Sequence, residues 1–237
     1  MANYVLVHGA WSGGWSWDPV VPALRAAGHD VYAPTLTGLG ERSHLVGRHL
    51  PLGLGLHVED VVALLDWFDL QDVVLAGHSY GGMVITGAAS RAAGRIRSLF
   101  YLDAFVPEDG QSLADLRGPG AHDDLRAQAA ANNGLIPPIG HAPRDGMTAL
   151  AQANARRRRP MPIAFFTDPV VLTGAENTIR NRTYVYATSG APTSFTRFHE
   201  TLKDDPAWRV HTVDTGHLVM QDDPAGLTRL LLAEAER

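Results

Sequence analysis

The chain contains no cysteine, which removes disulfides, thiolate metal sites and a cysteine nucleophile, and leaves the redox compartment open. Long apolar runs are missing too, since none reaches the roughly 18 residues that a membrane span needs. MANYVLVHG enters a strand pattern at once, so a basic and then apolar leader is not expected. The expectation is a soluble, cytoplasmic protein with no membrane partner. Positive charge is not in excess: 20 Lys and Arg stand against 25 Asp and Glu, a net charge of −5. Nothing therefore attracts nucleic acid in general. No pair of the 11 histidines has the HExxH arrangement or another metal-ligand spacing, so no metal is expected.

What is present suffices for one sizeable core. The 237 residues are 45% hydrophobic, compatible with one domain over residues 1–237. Strand-like segments at Tyr4–His8, Asp30–Pro34, Val73–Ala76, Ile96–Asp103, Thr183–Thr188 and Val210–Asp214 alternate with helical patterns. That alternation predicts an α/β fold, a mostly parallel sheet of about six strands with helices on both faces. Val58, Val61, Val62, Leu65 and Phe68 form one apolar stripe at helical spacing, and Leu227, Leu230 and Leu231 form another in the segment from Pro224. The rhythm breaks over about 107–177, rich in Gly, Pro, Ala and Arg, with short helical patterns at Leu113–Leu116 and Leu125–Ala131. A structureless loop of that length is improbable in a compact domain, so a mostly helical lid insertion is expected there.

The chemistry centres on VVLAGHSYGG, residues 73–82. Gly77-His78-Ser79-Tyr80-Gly81 fits G-x-S-x-G between an apolar strand and a helix, the context of a nucleophile elbow. A strand that turns sharply into a helix strains its serine, and glycines two positions away avoid the resulting clash. A serine hydroxyl needs a base. His217, in VDTGHLVMQDDP after the last strand, is placed to supply it. His8 and His78 lie in strand-end motifs and are expected to hold backbone; His44, His49 and His57 are expected in a solvated polar loop. The oxyanion hole takes one N–H from Tyr80 and one from Ala10, in the loop VHGAW whose Gly9 permits close approach. Trp15 and Trp17 are expected in the core, and Trp11 either packs or walls the pocket.

One carboxylate is awkwardly placed. Ser98–Leu102 reads as a buried strand, yet Asp103 follows it directly. A buried carboxylate is costly without a partner, and the strand after the elbow helix should lie beside the elbow strand. Asp103 is therefore the expected acid of the triad, with His217 as its partner. Its rivals are Asp214, three residues before His217, and Glu108 or Asp109 at the start of the insertion; a helix cap is the structural alternative.

The segments YVLVHGAWSGGWSWDPVVPALRAAGHDVYAPTLTGLG, GHSYGGM, LDAFVPEDG and TGHLVM resemble the α/β-hydrolase branch that holds plant methylesterases, hydroxynitrile lyases and related bacterial carboxylesterases. The resemblance implies an α/β-hydrolase fold, catalysis without a cofactor, and the roles given above for Ser79, His217, Ala10 and Tyr80. One departure supports Asp103. The plant members carry their acid after the penultimate strand, where this chain reads YATSGAPTSF with no Asp or Glu, and they have a small apolar residue where it has Asp103.

The expected activity is hydrolysis of a small-molecule carboxylic ester, with Trp11, Phe105, Phe165 and Leu218 as candidate substrate contacts. Met161, Phe165 and Phe166 suggest an apolar roof and a hydrophobic substrate. The alternative is a cofactor-free lyase or tailoring enzyme of the hydroxynitrile-lyase type. Those lyases use a lysine near the base, and the one lysine here, Lys203, reads as exposed. A ligand-sensing module without catalysis is a third reading, opposed by the intact serine and histidine. The arginines of RRRRPMPIAFF read as a solvated surface, with attraction of an acidic substrate as the alternative. A homodimer is compatible with the sequence.

Overall fold

Strands that are apolar on both sides must be covered on both sides. The computed structural model describes residues 1–47, 52–139 and 149–236. In chain order its elements are β1 (Asn3–Val7), α1 (Val21–Ala26), β2 (Asp30–Tyr32), α2 (Leu54–Trp67), β3 (Val73–His78), α3 (Gly81–Ala92), β4 (Ile96–Leu102), α4 (Leu113–Arg117), α5 (Ala121–Ala131), β5 (Leu135–Ile136), α6 (Ala149–Arg157), β6 (Met161–Pro162), α7 (Ala164–Thr167), β7 (Asn181–Ala187), α8 (Thr196–Leu202), β8 (Arg209–Val213), α9 (Val219–Asp222) and α10 (Pro224–Ala235). The main sheet has six parallel strands in the order β2-β1-β3-β4-β7-β8.

Side chains alternate across each strand, and two separate cores follow. Tyr4, Leu6, Val74, Ala76, Phe100 and Leu102 pack with Leu24 of α1 and with Leu227 and Leu231 of α10. Val5, Val7, Val73, Leu75 and Tyr101 pack with α2 and α3 on the opposite face. A buried carboxylate ties α10 down, as Glu234 accepts from Ser98 Oγ and Thr183 Oγ1, each at 2.6 Å, and from Arg209 at 3.1 Å.

The chain first steps from β1 to β2 and then crosses back to β3 on the other side of β1. That reversal leaves a crevice at the carboxyl ends of β1 and β3, the usual ligand position in a sheet of this kind. β4 lies beside β3, with Gly77 opposite Tyr101 and His78 opposite Leu102. Ser79 and Asp103, each one residue past its strand, therefore emerge at the same sheet edge.

All six expected strands form, with ends shifted by one or two residues. Between β4 and β7 the described residues hold four short α-helices, α4 and α5 at the two expected helical patterns, and the antiparallel pair β5–β6; the proline-rich sequence concealed only the strand pair. α4 is capped by Ser112 and Asp115 rather than by Asp103. His57, expected in a solvated loop, is instead a fully buried residue of α2. It sits at i, i+4, i+8 with Val61 and Leu65, on the stripe itself. His49 lies outside the described residues. Phe68 is the first residue past α2 and is 53% exposed. No helix among the described residues is long and apolar enough to cross a membrane.

The stripe has unequal members, which denaturation measures directly. Leu65, with no exposed surface, should cost about 2–5 kcal/mol when cut to alanine. Phe68→Ala should stay within about 0.5 kcal/mol of the parent in a urea titration. Equal losses would show that the stripe does not end at Leu65.

Candidate active site

Ser79 is held where an L-residue is strained, at φ 55°. Glycines make that conformation reachable. A Cβ on Gly77 would lie 2.6 Å from the carbonyl oxygen of Gly81, and one on Gly81 would lie 2.7 Å from that of Val7. The turn is fixed by its own backbone: Ser79 N–H donates to Leu102 O (3.2 Å), while Ser79 O accepts from Gly82 N–H (3.1 Å) and Phe105 N–H (3.2 Å). The elbow and the exit of β4 are thus sewn together.

Asp103 sits on that exit, buried to 1% exposure and itself at φ 41°. Its N–H donates to Val185 O at 2.7 Å. Its Oδ1 accepts from Ala187 N–H at 3.2 Å, and its Oδ2 lies 2.6 Å from His217 Nδ1. A carboxylate accepts, so the ring proton belongs on Nδ1 and the Nε2 lone pair is left free. Phe195 stacks on the His217 ring, with centroids 4.9 Å apart at 10°. His78 Nε2 donates to the backbone oxygen of His217 at 2.8 Å, so the neighbour of the serine also anchors the histidine loop. Asp214 is exposed and accepts from Ser189 Oγ at 2.9 Å, while Glu108 and Asp109 are exposed as well.

The loop after β1 presses against the elbow. A Cβ on Gly9 would meet His78 Nδ1 at 2.9 Å and Ser79 Cβ at 3.1 Å. Among the described residues, the N–H groups of Ala10 and Tyr80 have no acceptor. Trp11, at φ 60°, donates from Nε1 to Ile136 O at 2.9 Å, and its N–H lies 2.8 Å from Met161 Sδ. The hydroxyl of Tyr80 donates to His57 Nδ1 (2.8 Å), and His57 Nε2 donates to Thr37 O (2.8 Å). Thr37 in turn bonds both oxygens of Asp60, at 2.6 and 2.8 Å.

Two cavities meet at Ala10, Trp11, Ser79 and His217. The larger, about 260 Å³, is walled by Phe105, Leu113, Ile139, Phe166 and Phe195, with Arg117 at its side. The smaller, about 50 Å³, carries Ser12, Ser16, Arg158, Leu218 and Gln221. The structure therefore brings together Ser79, His217, Asp103, Ala10 and Tyr80, with Trp11, Phe105 and Leu218 as lining. Phe165 is a correction. Consecutive helical side chains diverge by about 100°, and in α7 it is Phe166 that faces the cavity. Phe165 is 1% exposed and stacks on His57 at 3.9 Å.

Trp17 is buried as expected, whereas Trp15 is only partly so, with the Arg157 guanidinium 5.7 Å from its ring centroid. Phe195 and Arg158 line the cavities without any signal in the sequence that sets them apart from their neighbours. Among the described residues no three His, Asp or Glu side chains group as a metal site would.

Comparisons with known proteins identify the family and the fold. The model of the alpha/beta hydrolase family matches residues 4–230. A carbendazim-hydrolyzing esterase of Nocardioides sp. (strain SG-4G) is 42% identical over 98% of this chain and 99% of its own. Salicylic acid-binding protein 2 of Nicotiana tabacum is 36% identical over 45% of this chain and 40% of its own. Among solved structures, an extracellular alpha/beta-hydrolase from a Paenibacillus species superposes with a TM-score of 0.81 at 24% identity, covering 99% of both chains.

Two imidazoles beneath the site make stability depend on pH. His8 donates from Nδ1 to Gly9 O (2.8 Å) and accepts at Nε2 from Leu36 N–H (3.1 Å), which fixes it as neutral. Burial pushes His8 down to about 4 and His57 down to about 3, from 6.5. Below about pH 6.5 the unfolded chain protonates both rings while the folded chain protonates neither, so stability falls as the pH drops toward 4. Each ring contributes a slope of about 1.4 kcal/mol per pH unit in that window. Calorimetric unfolding at about pH 5.5 in buffers of different ionisation enthalpy should show uptake of about two protons, and about one in His8→Asn. Uptake near zero in the parent would mean that the two rings are not held neutral.

Proposed function

The chain belongs to the alpha/beta hydrolase family and is a carboxylic ester hydrolase, and we propose that it works through an acyl-enzyme formed on Ser79. The observation that carries this reading is the 2.6 Å contact of His217 Nδ1 with Asp103 Oδ2 at the cavity edge shared with Ser79. Ser79 Oγ adds to the ester carbonyl while His217 Nε2 takes its proton. The negative charge that develops on the carbonyl oxygen is received by the N–H groups of Ala10 and Tyr80. Collapse of the tetrahedral intermediate breaks the ester C–O bond, and His217 returns the proton to the departing alkoxide. Water activated by the same imidazole then releases the acid and restores Ser79. Asp103 keeps the Nδ1 proton in place and stabilises the imidazolium.

A hydrophobic ester fits the larger cavity, whose aromatic wall rewards apolar burial. The residues of segment 107–177 that line it, Leu113, Arg117, Ile139 and Phe166, support a lid role for that segment. The lyase alternative finds no support in Lys203, which is exposed and paired with Glu200.

The orientation of Asp103 makes its amide variant informative. Ala187 N–H fixes which oxygen must accept, so in Asp103→Asn the amide nitrogen would face Nδ1 and force the other tautomer. The expected loss in kcat is about 10⁴-fold with the melting temperature unchanged, against a few-fold at most for the exposed Asp214→Asn. A fluorophosphonate should label Ser79 once, and labelling that persists in Ser79→Ala would end the acyl-enzyme reading.

A further inference from the structure

The smaller cavity has a composition that the esterase chemistry does not require. Arg158, the first residue past α6, lines it, as do Ser12 and Ser16. The Arg158 guanidinium has no hydrogen-bond or ion-pair partner among the described residues. Its neighbours differ, since Arg157 lies over the ring of Trp15 and Arg159 Nη1 donates to the carbonyls of Arg156 and Arg158. Arg159 N–H also donates to Trp11 O at 3.2 Å, which pins this stretch against the loop that carries Ala10. Ser16 is 4% exposed and its Oγ is a buried polar atom with no partner.

A buried hydroxyl without a partner is costly, and the half-buried guanidinium beside it has no counter-charge. An anion that reached both would restore what they have lost, and charge-assisted bonds of this kind are the stronger ones. Burial lowers the Arg158 guanidinium only to about 10, so it stays charged at neutral pH. Among the described residues no Asp or Glu lines the cavity to compete for it. A water needs about 10–15 Å³ of such space, so about 50 Å³ admits a group of only a few non-hydrogen atoms. That is the size of a carboxylate on one methylene, with the planar two-oxygen face that arginine binds best.

Building on the esterase reading, we propose that Arg158, with Ser16 and Ser12, forms a carboxylate subsite beside Ser79. The preferred substrates are then two-ended esters, with an apolar half in the 260 Å³ cavity and a short half ending in carboxylate in the small one. The carboxylate takes no part in the bond changes: the ester C–O bond breaks, water supplies OH to the acyl carbon and H to the alcohol, and the charge stays on Arg158.

Two isosteric pairs test this and separate the two halves of the ester. O-benzoylglycolate against isobutyl benzoate puts the charge on the alcohol side; benzyl hydrogen malonate against benzyl isovalerate puts it on the acyl side. In calorimetric titrations of Ser79→Ala, the charged member of one pair should bind roughly 10- to 100-fold more tightly than its neutral isostere. The same ratio should appear in kcat/KM of the parent enzyme. Arg158→Met, checked for folding by circular dichroism, should bring the ratio to about one, with Arg158→Lys keeping part of it and the exposed Arg156→Met keeping all of it. A ratio near one in both pairs, or one that survives Arg158→Met, overturns the subsite. An Arg158-dependent binding ratio without turnover of any of the four esters would sink the esterase reading and leave the subsite standing.

Discussion

Everything at this site depends on three backbones passing closer than side chains allow. The end of β1, the β3–α3 turn and the exit of β4 meet around Ser79, and each approach is made where a glycine stands. A Cβ on Gly82 would lie 2.0 Å from the carbonyl oxygen of Phe105, a more severe clash than those at Gly77 and Gly81. Because these contacts are between backbones, no repacking of side chains can relieve them. One steric condition therefore sets the positions of Ser79, of the loop bearing Ala10 and of the strand exit bearing Asp103. The left-handed φ values at Trp11, Ser79 and Asp103 are the local cost, borne where surrounding hydrogen bonds over-determine the conformation.

The histidines show how one side chain serves opposite ends. His8 and His57 are each clamped between a donor and an acceptor, which leaves no room for a second proton and turns them into rigid two-ended connectors. His78 uses one nitrogen to hold the loop that follows β8. His217 faces a carboxylate, the partner that would let an imidazole carry a transient positive charge in the proposed reaction. The scaffold thus separates histidines that must stay neutral from the one that must not.

Much of this was legible in the residues. Strand positions followed from apolar runs, the elbow from its glycines, and Asp103 from the oddity of a carboxylate at the end of a buried strand. The burial of His57 was written in its spacing with Val61 and Leu65, but its imidazole read as a polar side chain because the partners that neutralise it, Tyr80 and Thr37, are distant in sequence. Phe195 and Arg158 carried no local signal at all. A phenylalanine in a Gly-Pro-Ser-Thr loop and an arginine among four acquire meaning only from what the fold sets beside them. The pair β5–β6 escaped for a similar reason, since a two-residue strand has no period to detect.

The indole of Trp11 ties the two halves of the molecule together. It donates to Ile136 in β5, its backbone oxygen receives Arg159 N–H, and its own N–H rests on Met161 in β6. The next residue back is Ala10. The segment that shapes the substrate cavity is therefore mechanically continuous with the loop that would receive the oxyanion. Specificity and rate are not independent modules in such a chain. Exchange of segment 107–177 for that of a relative would remove all three attachments to Trp11 at once, and so disturb the backbone beside Ala10 as well as the cavity wall.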